Sequence, residues 1–170
     1  MAGDIKIKYP VDTSLNVAVD CNGLASDTNL LAGRESDQID NTTTVDVDHL
    51  ISGSVQVSAS APTANRVIQV WAYSMAFLIL NYGGPPTPFT GLDSNRSAPS
   101  ANWRDSALRL LWMTVTDAVA SRVYYMPPTS IAQAFGGVMP PMYGIWVVQS
   151  SGQNLSGAQI YATRVQSQYT

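Results

Sequence analysis

Any chemistry in this chain would have to start from a small set of side chains. His49 is the one histidine, and Asp46 and Asp48 stand just before it. An Asp–His pair joined by a distant serine would make a nucleophilic triad, and the same groups could bind a metal. Metal sites draw on two or more His or Cys ligands at characteristic spacing, which one histidine and one cysteine cannot supply. The expectation for His49 is therefore a hydrogen-bonded structural or surface residue. Asp46-Val47-Asp48 sets both carboxylates on one side of a strand, where they would hold Ca²⁺ with backbone oxygens or form a solvated edge; the solvated edge is expected.

Glu35, Asp37 and Asp40 lie close in sequence and offer the two carboxylates of a glycosidase acid/base pair, but Arg34 beside them points to ion pairing. The G-x-S-x-G elbow, the phosphate-binding loop and the G-x-G-x-x-G fingerprint are all missing from the sequence. The reading is a protein without catalysis, cofactor or metal. The aromatic residues Trp71, Tyr73, Tyr82, Phe89, Trp103, Tyr124, Tyr125, Tyr143 and Trp146 are the rings a sugar platform would use. Those inside strands are expected in the core. Tyr82, Phe89 and Trp103, on or beside a long loop, are free to face a subunit or a ligand, and packing or subunit contact is preferred to stacking on sugar.

The elements that must position these groups are mostly strands. Residues 67–80, VIQVWAYSMAFLIL, form the longest nearly unbroken apolar run. As one strand they would span on the order of 45 Å, well beyond the usual strand length, so the run should break near Ser74. It is too short for a membrane helix and carries Gln69 inside it. Residues 66–73 read as a core strand. Residues 75–80 read as an apolar arm entering a loop at residues 81–102 that is rich in Gly, Pro, Ser and Asn.

Elsewhere Ile5, Ile7 and Tyr9 alternate with Lys6 and Lys8, the pattern of an edge strand ended by Pro10. Leu15, Val17 and Val19 alternate in a second strand, and residues 24–47 are a mostly polar excursion with short strand pieces. Ile51, Val55 and Val57 mark a strand over residues 48–60 with a bulge or bend at Gly53, and the run from residue 66 is expected to fold back against it as a hairpin. Trp103, Ala107, Leu108 and Leu111 recur at helical spacing behind Ser100 and Asn102; the alternative is a strand through Leu110, Trp112, Thr114 and Thr116. A hairpin from Leu108 onward, turning at residues 117–121 and ended by Pro127-Pro128, is preferred. Ser130 can cap one helical turn that Gly136-Gly137 stops. Strands over residues 143–149 and 158–166 complete about eight. The fold class is all-β: an antiparallel two-sheet sandwich, jelly-roll-like, with a short helical turn and one long loop, residues 1–170 forming one domain.

Composition narrows the function. Only 12% of the 170 residues are charged and 45% are hydrophobic, a thinly charged surface that guards poorly against association. The net charge of −3, with Lys6 and Lys8 the only lysines, argues against a nucleic-acid binder. The lone Cys21 is expected to be a buried free thiol, and the first ten residues hold no apolar segment of a secretory signal.

Three segments carry a resemblance when taken together: AGRESDQIDNTTT, DHLISGSVQVSASAPTANRVIQVWAY, and SRVYYMPPTSIAQAFGGVMPPMYGIWVVQSSGQNLS. With Gly33, Ser36, Asp40-Asn41, Pro62-Thr63, Phe135-Gly136-Gly137, Gly152 and Asn154 in that order, the chain resembles a family of small tailed-bacteriophage virion proteins, some of which look like capsid cement or decoration proteins. The resemblance implies a jelly-roll subunit, made in the host cytoplasm, that stands as a homotrimer on the capsid exterior, binds the major capsid protein and stabilises the head; the alternatives are a phage adhesin or carbohydrate-binding β-sandwich that uses the long loop, and a tail or baseplate component. After Tyr73 the chain departs from that pattern. Met75, Phe77, Leu78, Ile79, Leu80, Tyr82, Phe89 and Trp103 are accordingly the candidate subunit-interface residues, and no nucleic-acid or membrane partner is expected.

Overall fold

Period-two alternation of apolar residues becomes two antiparallel sheets in the computed structural model, which describes residues 5–10, 14–44, 46–75 and 88–169. In chain order the strands are β1 (Ile5–Lys8), β2 (Ser14–Val17), β3 (Ala32–Glu35), β4 (Ile39–Asp40), β5 (Asp48–Val57), β6 (Val67–Ser74), β7 (Ser94–Ser97), β8 (Arg109–Val115), β9 (Val123–Ser130), β10 (Met142–Gln149) and β11 (Leu155–Tyr169). Helix α1 (Ala101–Ala107) precedes β8, and the single turn α2 (Ile131–Ala134) follows β9. The first sheet runs β1-β11-β5-β9, with β2 also paired to β11; the second runs β7-β3-β10-β6-β8, with β4 also paired to β10. The chain is an all-β sandwich. The strands beyond the eight expected are the short β3, β4 and β7.

The inner faces meet in one apolar core: Ile51, Val55 and Val57 of β5 with Leu155, Ile160 and Ala162 of β11, against Ile68, Val70 and Ala72 of β6 and Tyr143, Ile145 and Val147 of β10. The outer face of the second sheet is covered too. Trp71, Tyr73, Trp146 and Val148 pack under Met75, Phe89, Ala98 and Leu108, with Leu30, Leu31, Trp103 and Ala107 half-buried around them. β6 and β10 are thus buried on both sides, and that is why their sequences read as apolar runs rather than as alternation.

Two expected hairpins are absent. β5 and β6 lie in opposite sheets, as do β8 and β9. The bend after β5 is held by hydrogen bonds that cross the sandwich edge, Thr63 N–H to the Ser151 carbonyl (2.7 Å) and Asn65 N–H to the Thr116 carbonyl (2.9 Å). Pro127 and Pro128 do not end β9 but lie within this edge strand, where its pairing with β5 shifts register between Met126 and Thr129 and the ladder is already interrupted. The helix and the strand weighed as alternatives around residues 103–116 both exist, one directly after the other. Ser100 Oγ accepts from Trp103 N–H and Ser130 Oγ from Gln133 N–H, the expected caps. At Gly53 the pairing with β9 shifts register, and with φ at 154° a Cβ there would overlap the Gln159 carbonyl oxygen.

Candidate functional site

Asp46 and Asp48 are not a solvated pair. Asp46 is buried with His49 and Tyr143: His49 Nε2 donates to Asp46 Oδ2 at 3.0 Å and His49 Nδ1 stands 2.7 Å from the Tyr143 hydroxyl. Arg164 Nε also donates to Asp46 Oδ2 (2.7 Å), and Gln166 Nε2 to Oδ1 (2.7 Å). Asp48 faces the other way and accepts from His49 N–H and Ala132 N–H, both at 2.8 Å. Burial by itself would raise the pKa of Asp46, but the bonds from Arg164, His49 and Gln166 outweigh it and hold the carboxyl well below its usual range. Burial, then the charges of Asp48 and Asp46, push the Tyr143 hydroxyl upward. The row Asp46–His49–Tyr143 has the connectivity of a relay, yet His49 and Tyr143 are fully buried and Asp46 nearly so. Its work is to tie β5, β10 and β11 together across the core.

A second buried carboxylate organises the covering layer. β3 turns Gly33 and Glu35 inward and leaves Arg34 half-exposed. Glu35 Oε1 accepts from Arg96 Nε (2.7 Å), Thr90 Oγ1 (2.7 Å) and Ser94 Oγ (3.1 Å), and Oε2 from Tyr73 Oη (2.9 Å), Thr90 N–H (3.0 Å) and Gly91 N–H (3.2 Å). Burial opposes the charge, and the bonds from Arg96, Thr90 and Tyr73 more than offset it, so Glu35 titrates below its ordinary value. Its three neighbours go elsewhere: Arg34 pairs with Asp93, Asp37 accepts from Asp93 N–H, and Asp40 accepts from Thr42. Neither Asp37 nor Asp40 is thus joined to Glu35 as an acid/base pair; Glu35 clamps residues 90–96 over the sheet. Among the described residues, no group of three or more His, Cys, Asp or Glu stands together as a metal site.

The candidate interface residues divide. Met75 and Phe89 are 4% and 7% exposed, and Trp103 is half-buried. Phe89 stacks on Tyr73 (4.5 Å between ring centres) and on Trp103 (5.7 Å) and meets Trp146 edge-on (5.7 Å), while the Arg104 guanidinium lies 5.1 Å over the Trp71 ring. Phe89 and Trp103 are therefore part of the cover over the sheet. Phe77, Leu78, Ile79, Leu80 and Tyr82 lie outside the described residues.

Two exposed features escaped the sequence reading. The pairing of β8 with β6 slips between Val70 and Trp71, so Leu110 joins Met113 and Val115 on the outer face, at 45%, 50% and 53% exposure. A bulge reverses parity, and the sequence carries no mark of it. Tyr125 points outward from β9 at 77% exposure, while Tyr124 turns inward and bonds Asp117; their adjacency on a strand was the available signal. Cys21 is a fully buried free thiol. No family model, no curated protein and no solved structure matches this chain.

Proposed function

We propose that this chain is a non-catalytic structural subunit that assembles with copies of itself as a homotrimer and decorates the outside of a tailed-bacteriophage head, binding the major capsid protein and cementing the shell. The observation that carries the assembly reading is the apolar strip of β8. Among the described residues this strand ends the second sheet and has one edge unpaired, and Leu110, Met113 and Val115 stay exposed beside the otherwise covered outer face. Arg109 is the only charged residue along its length. Sheet edges meant to stay alone are guarded by lysine, proline or inward charge, and this one is not. The exposed Ile5, Ile7 and Tyr9 on and beside β1 add a second uncovered apolar surface. The virion setting rests on the sequence resemblance.

The test is sedimentation at the highest soluble concentration. The wild-type chain is expected to be trimeric and Leu110→Asp with Met113→Lys monomeric, with unchanged far-UV circular dichroism. A monomeric wild type refutes the assembly reading. Heads lacking the subunit should lose heat stability and regain it when the purified protein is added back; heads equally stable without it refute the cementing role.

A further inference from the structure

The outer face of the first sheet has a different chemistry from the β8 strip. Cross-strand register puts Gln159, Ser54 and Tyr125 in one row over β11, β5 and β9, Gly157, Gln56 and Val123 in the next, and Tyr161 with Ser52 on the other side. None of these residues is charged. The pairing of β11 with β5 shifts between Leu155 and Gly157, and the space where a Gly157 side chain would stand is open. The result is a hollow of about 420 Å³ walled by these first two rows, Ser156 and Ala158.

We infer that this hollow binds a neutral oligosaccharide, with Tyr125 in its wall and Tyr161 beyond it on the same face as stacking surfaces, and Ser54, Gln56 and Gln159 as hydrogen-bonding groups. The side chains of Ser54 and Gln159 make no hydrogen bond within the described residues, and Gln56 uses only its Nε2, which donates to the Ser121 carbonyl. Free hydroxyls and amides beside aromatic rings fit a ligand that presents hydroxyls and C–H faces in alternation, as a pyranose does. An anionic ligand would meet no cation here, and a second copy of the chain would find little apolar surface beyond Val123 and the rings. Two strand spacings and two residues separate Tyr125 from Tyr161, about 12 Å between their Cα atoms, the reach of a short oligosaccharide rather than of one sugar.

The experiment is amide chemical-shift mapping of the full chain with cellohexaose, maltohexaose and chitohexaose. At least one is expected to shift amides of β5, β9 and β11 around Ser54, Tyr125 and Gln159. Tyr125→Ala, at an exposed position, should keep the fold and weaken binding by about tenfold or more, on the order of one lost aromatic stacking contact, while Tyr125→Trp retains it. The inference is overturned if none of the three sugars shifts these amides, if the shifts fall elsewhere, or if Tyr125→Ala binds as wild type does. Concentration-dependent shifts of the same amides without sugar would also overturn it, by giving the face to a second copy of the chain.

Discussion

Replacing Glu35 by glutamine keeps the shape of the side chain and removes its charge. Either orientation of the new amide points an NH₂ at donors: at Arg96 Nε, Thr90 Oγ1 and Ser94 Oγ, or at Tyr73 Oη and the amides of Thr90 and Gly91. A hydrogen bond to a charged group contributes about 1.5–3 kcal/mol, and each buried donor left without an acceptor costs about 1–3 kcal/mol. The Arg96 side chain is 30% exposed and can turn to water, which trims the ion-pair share. The net expectation is a loss of about 3 kcal/mol. For a chain of this size that lowers Tm by roughly 6–12 °C. Calorimetric melts of Glu35→Gln and of Tyr73→Phe, which removes one neutral donor and should cost about 1 kcal/mol, give the comparison at fixed protein concentration. Acid supplies a second readout. The folded pKa of Glu35 lies below its ordinary, unfolded value, so its stabilisation is complete above the unfolded pKa and fades as pH falls through the folded pKa. The gap in Tm between wild type and Glu35→Gln should be full at neutral pH and close on acidification. If Glu35→Gln costs no more than Tyr73→Phe, or the gap persists unchanged in acid, the clamp is not what holds residues 90–96 down.

Phe89→Ala opens a cavity between Tyr73, Trp103 and Trp146; it should cost about 3–5 kcal/mol in denaturant unfolding and leave the sedimentation of the folded protein unchanged. A small stability loss with altered assembly would return Phe89 to the subunit interface. Burial, with the nearby Asp93 charge next, pushes the Cys21 thiol up to about 12, so iodoacetamide near pH 8 should label native protein only as fast as the fold opens and unfolded protein at once. Rapid native labelling would show that the site around Cys21 is open.

The alternation of Ile51, Val55 and Val57 and the apolar run in β6 made a sandwich legible, because in–out period and double-sided burial are local properties of a strand. Partner choice is not local. Nothing in residues 58–66 distinguishes a hairpin turn from a bend that carries the chain to the other sheet, since both use the same turn residues. The cover of the second sheet was hidden for a related reason: Phe89 and Ala98 are scattered without period through a polar loop, and the helical spacing of Trp103 does not say which sheet it covers. Glu35 and Asp46 looked like surface acids because the arginines that make their burial tolerable, Arg96 and Arg164, stand 61 and 118 residues further on. The parity of β8 was lost to a single slipped residue.

β11 is last among the described strands in sequence and the hub of its sheet, with β5 on one edge and β2 and β1 on the other. During synthesis β1 and β2 leave the ribosome well before β11 and wait for their partner until every strand between has been made. Among the described strands, β5 meanwhile has only β9 to pair with. Such long-range closure is slow, and it leaves open strand edges exposed in the nascent chain. The sheet cannot be complete before β11 is made, and a chain truncated before β11 would leave β1, β2 and β5 without that partner.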